Sequence, residues 1–504
     1  PPETRKPPIG RLRTKDRVAC PRLHRYLLHD CAMGSLARPG RVKRNRCSDE
    51  EIRPTGAYPG QPGIPDTGIL LDDQYRLKQR YQRPNTVNRD YPMKAVFVVA
   101  HDSQFKWAAA TSKLFRDNGW SVSFFAPSEH ADISPAQMAD AGVNPSEVTF
   151  GNGYSSVEFW ATHDVVFFLT PGAISEQYIF ALRDHIKRNP PNRPIIVSAY
   201  VGMVIVSHLG GYLHRAAADL ICVNSPYDYK IYSDAAMELG ITTSNLAITG
   251  LAIIGNGIAH QKSGPIKNVV FADQMAIPSS PSDRQLIYQN LLEYAQKHPT
   301  RSVLVKPRHR PGESSYHKGK FPPEKFFLSR TLPGNLRIDY TPIASLLPTT
   351  DLLLTVSSTA AIEAIAQGVR TAIIADAGLS ERFGNHIFVG SGLIRTFAQI
   401  SADDIGSPSP QWLSTFQHHG TEPARAIYEA VCQKVEEKPA LIDAPFLAAR
   451  EKAVKGSAAF SSSQASQRTG RPKNTRNARS LVKTWLPPIA LKPARKIARM
   501  LGIV

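Results

Sequence analysis

Cysteine is scarce in this 504-residue chain. Cys20, Cys31, Cys47, Cys222 and Cys432 are scattered without CxxC spacing, which argues against a structural zinc site and a disulfide scaffold. A reducing, cytoplasmic setting is expected. Long apolar runs are also lacking. No window reaches the roughly 18 residues of a membrane span, and the first residues carry no compact apolar stretch of the secretory kind. No GxGxxG follows the first apolar run, which disfavours a dinucleotide-dependent dehydrogenase. No Asp-x-Asp pair stands at a predicted strand end in the second half, so neither a metal nor a cofactor is expected.

Positive charge, by contrast, is abundant: the formal net charge is +19. Such an excess ordinarily points to nucleic acid or an anionic membrane, but its position decides the matter. Residues 1–92 carry a net charge of about +9 and residues 450–504 about +12, whereas 93–449 come to about −2. The body of the chain therefore gives no reason to expect a specific nucleic-acid partner. Residues 1–92 mix Arg, Pro and Gly with no apolar period, as in Arg41-Val-Lys-Arg-Asn-Arg46, and are expected to be disordered. Met93 is a candidate start of translation, which N-terminal mass spectrometry of the native protein would test.

Met93–Ala100 opens a series of strand-like runs continued by Ser121–Phe125, Asp164–Leu169, Pro194–Ser198, Asp219–Val223 and Leu246–Thr249. Helical patterns such as Gln104–Asp117 and Ser175–Lys187 fill the gaps. A second series comprises Lys267–Phe271, Ser302–Lys306, Asn335–Asp339, Asp351–Val356 and Arg370–Ala375. This alternation predicts an α/β chain with two Rossmann-like parallel sheets covered on both faces. The expected domains are 93–255 and 256–449, joined near Gly255-Asn-Gly-Ile-Ala-His260, with a basic flexible tail over 450–504.

Three stretches carry the chemistry. In Asp351-Leu-Leu-Leu-Thr-Val-Ser-Ser-Thr-Ala-Ala-Ile-Glu363 a buried strand runs into Ser357, Ser358 and Thr359 at a helix start. Hydroxyls and free N–H groups there suit a phosphate, although a serine in that place also serves as a plain cap. Glu363, further along the helix, either reaches a ribose or faces solvent. In Ser302-Val-Leu-Val-Lys-Pro-Arg-His-Arg310 a strand delivers Lys306, Arg308, His309 and Arg310 to its C-terminal end, where open α/β sheets bind ligands. Four basic groups in five positions suit a diphosphate or a phosphate with a carboxylate. His309 is a candidate proton donor to the departing phosphate; the alternative is a solvated basic turn. Directly after the first strand, His101-Asp-Ser-Gln-Phe-Lys-Trp107 offers Asp102 as a candidate general base, with His101 as the runner-up and Lys106 to offset developing charge. Asp102 could instead only cap the following helix. Tyr200, after another strand, is placed on the acceptor side.

The strand–turn–helix around Ser357 resembles the donor-binding unit of GT-B glycosyltransferases, and its serine pair resembles that of bacterial sialyltransferases and capsule-assembly transferases. The stretches HDSQFKW, KPRHRPGE, TVSSTAAIEA and GNHIFVGSGL together resemble a bacterial family catalogued as a domain of unknown function and described as glycosyltransferases. The resemblance covers about 93–440 and implies a GT-B fold and a nucleotide-sugar donor. Metal-independent transfer to a cell-envelope glycan or lipid-linked acceptor is the expected activity. A nucleotide-sugar 2-epimerase of similar fold, or a non-catalytic nucleotide- or sugar-binding protein, remains an alternative. The tail, which ends in Ile497, Met500, Leu501, Ile503 and Val504 among basic residues, is a candidate contact with an anionic membrane at the inner face.

Overall fold

The computed structural model describes residues 91–456 apart from 191–192, 204–207, 255–258, 314–320 and 417–421. The expected disordered extension and the basic amphipathic end of the chain lie outside the described residues.

Alternating strands and helices build two parallel sheets. The first contains β1 (Lys94–Val98), β2 (Ser121–Pro127), β3 (Val148–Gly151), β4 (Val165–Phe168), β5 (Ile195–Ala199), β6 (Leu220–Val223) and β7 (Leu246–Ile248) in the order β3-β2-β1-β4-β5-β6-β7. The second contains β8 (Asn268–Ala272), β9 (Ser302–Lys306), β10 (Leu336–Ile338), β11 (Leu352–Thr355), β12 (Arg370–Ile374) and β13 (Ile394–Arg395) in the order β10-β9-β8-β11-β12-β13. These are the two Rossmann-like sheets expected from the alternation, and together they make the GT-B-like α/β fold that the resemblance implied. The central strands are buried along their whole length, as a sheet covered on both faces requires.

In each sheet the chain first winds outward to one side and then returns to the other. The order reverses between β1 and β4 in the first sheet and between β8 and β11 in the second. Loops diverge at such switch points and leave a crevice at the C-terminal ends of the strands. The segments that follow β1, β5 and β11 and the end of β9 with its following loop carry the predicted site residues.

Among the helices on these sheets are α1 (Asp102–Asp117), α2 (Gly172–Arg188), α3 (Ala360–Ala366), α4 (Pro423–Glu437) and α5 (Pro445–Lys455). Helix α1 buries Gln104, Phe105, Ala108, Thr111, Ser112 and Phe115, a spacing of three and four that gives one continuous face. That face meets aromatic residues of the sheet: Phe115 stands edge-on to Phe97 and Phe167 at 6.2 and 5.6 Å between ring centres. Each such ring contributes about 2–3 kcal/mol by leaving water.

The last helices of the described chain pack against the first sheet and its helices. Helix α4 packs on α1 and the first sheet, where Ile427 and Val431 join the same apolar core as Phe97 and Phe115. Its Tyr428 ring stands 5.1 Å from that of Phe115. Helix α5 likewise lies against α2, with Leu447 in that helix's core and Arg450 paired to Glu176. An amphipathic helix goes where its apolar face finds partners, and sequence order does not fix that place.

The second sheet meets the first through a smaller apolar cluster. Leu251 and Ile254, at the end of the first half, pack with Ala361, Ile362 and Ile365 of α3 and with Trp412. The linker also ties down the far end of α3: Ala259 N–H donates to Ala366 O, and Lys262 N–H to Gly368 O. Gly368 has φ +70°, and a Cβ there would fall 2.1 Å from the His260 carbonyl oxygen. Any other residue would push the linker away.

Candidate functional site

The crevice brings together groups far apart in sequence. Helix α1 starts at the C-terminal end of β1 with His101 in extended conformation before it and Asp102 as its first residue. Asp102 is therefore not the residue that precedes the helix; its carboxylate sits in the first turn, where the helix dipole favours negative charge. Across the crevice Arg308, just beyond β9, donates from Nη2 to Asp102 Oδ1 at 3.1 Å and lies 3.4 Å from Oδ2. These two residues are 206 positions apart. Burial pushes the Asp102 carboxyl upward, but the charges of Arg308 and Lys106 outweigh it and hold the group well below the usual carboxylate range.

Lys106 lies one turn along α1 from Asp102, on the same helix face. Its charge acts across the crevice on both Lys306 and Glu363. Burial, followed by the nearby Lys106 and Arg308 charges, brings Lys306 down to about 8. The charges of Lys106 and Arg308 thus both act on Lys306, an arrangement that favours an incoming anion. Burial raises the Glu363 carboxyl, and the Lys106 ammonium offsets part of that rise. Glu363 is half-buried, close enough to Lys106 to feel its charge.

Other predicted residues are held differently. Arg310 is half exposed and paired to Glu313, which also accepts from the Arg310 backbone N–H. His309 Nδ1 lies 3.1 Å from the Arg310 carbonyl oxygen. A carbonyl only accepts, so Nδ1 carries the proton and the Nε2 of a neutral ring has none to give. A donor role for His309 through Nε2 would require the doubly protonated ring.

Ser357 is fully buried, and its hydroxyl donates to Phe383 O at 2.6 Å. Its backbone N–H donates to Gln274 Oε1 at 2.9 Å. Both donors are engaged inside the protein, so a phosphate contact expected of Ser357 would first have to break this network. The Ser358 hydroxyl accepts from Ala360 N–H at 3.2 Å, a local cap. Thr359 precedes α3 without a side-chain cap, and a Cβ placed on Gly202 would lie 3.5 Å from its Oγ1. The loop after β5 therefore runs close to Thr359. Tyr200 on that loop packs its ring against the Arg215 guanidinium at 4.6 Å, and its carbonyl accepts from Asn224.

Two supports escaped the sequence reading. Gln104 holds His101, and a buried Asp273, Arg284 and Tyr288 set holds the loop after β8. Arg284 pairs with Asp273 and donates to the Gln274 and Phe321 carbonyls. That anchors the segment whose Gln274 side chain reaches Ser357. An aspartate just past a strand and an arginine eleven residues later form no recognisable motif, so only the fold reveals the pair. Among the described residues no three His, Cys, Asp or Glu side chains stand together as metal ligands, and no helix is long and apolar enough to cross a membrane.

Comparison with known proteins adds the following. A UDP-GlcNAc 2-epimerase from Methanocaldococcus jannaschii is 11% identical, with 68% of this chain and 100% of that chain covered at a TM-score of 0.46. A UDP-GlcNAc 2-epimerase from Neisseria meningitidis bound to UDP-GlcNAc is 13% identical over 69% of this chain and 99% of that one, at a TM-score of 0.43. UGT89C1 of Arabidopsis thaliana complexed with UDP is 9% identical over 68% and 99%, at 0.44. No curated protein matches by sequence. The family described as "Putative glycosyltransferase (DUF6716)" matches residues 95–433, more than half of the sequence, and the chain belongs to that family.

Proposed function

We propose that the protein transfers a sugar from a nucleotide-sugar donor to an acceptor hydroxyl, with the donor phosphate held by Lys306, Arg308 and Lys106 and the hydroxyl proton taken by Asp102. The observation that carries this reading is the pairing of Asp102 with Arg308 across the crevice, with the charge of Lys106 acting on both Asp102 and Lys306. The carboxylate is ionised and can accept a proton once its pairing with Arg308 is loosened. The cations offset the charge that grows on the leaving phosphate. In the reaction the acceptor oxygen bonds to the anomeric carbon as the bond to the phosphate oxygen breaks. The nucleotide leaves with that electron pair, and the acceptor proton passes to Asp102.

The pairing of Asp102 with Arg308 adds a condition. A carboxylate engaged by a guanidinium is a poor base, so a donor phosphate that draws Arg308 toward itself also frees Asp102. Within this reading a cell-envelope glycan or a lipid-linked acceptor is the acceptor class, and the charge of about +12 over 450–504 suits recruitment to an anionic membrane face. The likeness to sialyltransferases through the serine pair has less support, because the Ser357 hydroxyl is occupied.

The test is incubation of full-length protein with a panel of nucleotide sugars, with and without envelope glycan and lipid-linked acceptors, in the presence and absence of EDTA. EDTA-resistant product that depends on acceptor supports the proposal. Epimerised sugar without acceptor would assign the protein to the epimerase reaction, and donor binding without turnover would make it a binding protein. Sedimentation with anionic vesicles tests recruitment; equal pelleting of the full chain and of a protein ending at 456 would exclude the tail.

A further inference from the structure

The proton positions around His101 follow from the geometry of three neighbouring side chains. Gln104 Oε1 lies 2.6 Å from the backbone nitrogen of Ala100. A backbone N–H only donates, so the amide oxygen of Gln104 must face it and the amide NH2 must face away. That NH2 lies 2.7 Å from His101 Nε2. An NH2 group also only donates, so Nε2 accepts and carries no proton. The neutral ring then holds its proton on Nδ1, which is 3.1 Å from Ser103 Oγ and 3.9 Å from Asp102 Oδ1.

The set is closed to simple exchange with water. Gln104 is 1% exposed and His101 7%. A second proton on Nε2 would oppose two donors, or would turn the amide and oppose Ala100 N–H; either way a buried hydrogen bond is lost. The charged groups acting on the ring are Asp102 on its own helix and Arg308 from the loop after β9. Burial and Arg308 lower the ring and Asp102 raises it, with the balance near about 4.

We propose that Gln104 is a positioning residue for the transfer reaction: it fixes His101 as the neutral Nδ1–H tautomer and leaves Asp102 the proton acceptor at the start of α1. The assignment of His101 as runner-up base fails on this account, because its basic nitrogen is already occupied by Gln104. An imidazolium in the same place would add a further cation beside Asp102 and weaken it as a base. The link to transfer rests on the function proposed above; the tautomer does not.

Long-range proton–nitrogen NMR of full-length protein labelled in histidine reads the tautomer directly, with the His101 signal assigned by its loss in His101→Gln. The expected spectrum has an unprotonated Nε2 and a protonated Nδ1, unchanged between about pH 5.5 and 8. An Nε2–H tautomer, or titration within that range, overturns the proposal. In Gln104→Glu a carboxylate faces both Ala100 N–H and Nε2, so the ring gains an Nε2 proton and titrates between about pH 6 and 8. Transfer should then fall about tenfold at the acid end of that range and recover at the alkaline end. A folded Gln104→Glu protein with the wild-type tautomer also overturns the proposal. If that variant does not fold, the wild-type spectrum alone decides. If the protein proves not to be a transferase, the NMR result still stands by itself.

Discussion

Replacing Arg308 by alanine separates the two things that this side chain does. Its guanidinium is 3.1 Å from Asp102 Oδ1, and the side chains of the pair are 29% and 25% exposed. Two unit charges about 4 Å apart attract by about 4 kcal/mol at an effective dielectric constant near 20. Water at the crevice mouth and the cost of ordering both side chains reduce the net contribution to about 1 kcal/mol. The variant should therefore melt only a few degrees lower. Transfer should suffer more, since a cation facing a leaving phosphate stabilises the transition state by about 2–4 kcal/mol, or roughly 30- to 1000-fold in turnover.

The stability difference has a definite pH dependence. The folded-state pKa of Asp102 lies below its unfolded value, so its contribution is present above about pH 4 and is lost as pH falls through the folded pKa. Without Arg308 the burial of the carboxyl is opposed less, and its titration moves upward. The melting gap between wild type and variant should be widest near neutrality and close on acidification below about pH 4. Calorimetry across that range, paired with donor titration and single-turnover transfer, gives both numbers. Wild-type donor affinity and turnover in Arg308→Ala would refute the reasoning and leave the ion pair as a strut between the two sheets.

Asp102→Asn should keep donor affinity and lose transfer, read as an unchanged titration beside a reduced single-turnover rate. Ser357→Ala should cost about 1–2 kcal/mol of stability with little effect on donor affinity, because its hydroxyl donates to Phe383 O within the core. Ser358→Ala removes the local cap of α3 and should cost about 1 kcal/mol of stability; a loss of donor affinity of about 1–3 kcal/mol beside it would put the hydroxyl on phosphate as well. Lys306 is protonated below about 8 and loses its charge above it, so donor affinity should decline as pH rises through that value; an affinity flat to about pH 9.5 would remove Lys306 from the phosphate site. Arg284→Met leaves the Asp273 carboxylate buried without its partner and should cost about 3–5 kcal/mol in denaturant unfolding.

The central strands were legible because a strand buried on both faces must be apolar throughout, as Val165–Phe168 and Leu352–Thr355 are. The run Ser302–Lys306 has the predicted limits. The edge strands Val148–Gly151 and Ile394–Arg395 were missed, since an edge strand needs neither length nor continuous apolarity. Motif reading brought His101, Asp102, Lys306 and Arg308 to strand ends, and the reversal of strand order explains why those ends meet at a crevice. It did not reveal that Asp102 and Arg308 touch, because a pair 206 residues apart leaves no local trace. Nor did it separate Ser357 from Ser358: their spacing is one residue, yet one hydroxyl points to Phe383 O and the other caps α3.

The return of α4 to the first sheet bears on how the polypeptide acquires its structure. Phe97 and Phe115 complete their packing with Ile427, Tyr428 and Val431, more than three hundred residues later. During synthesis the first sheet would emerge from the ribosome with the surface of α1 uncovered and remain so until nearly the whole described chain had been made. Contacts this distant slow folding and expose apolar surface to other chains in the interval. A fragment cut at the junction between the two sheets would keep that surface bare permanently. Exchange of α4 between two full-length chains, each with its α1 surface still uncovered, would be the natural route to a swapped dimer.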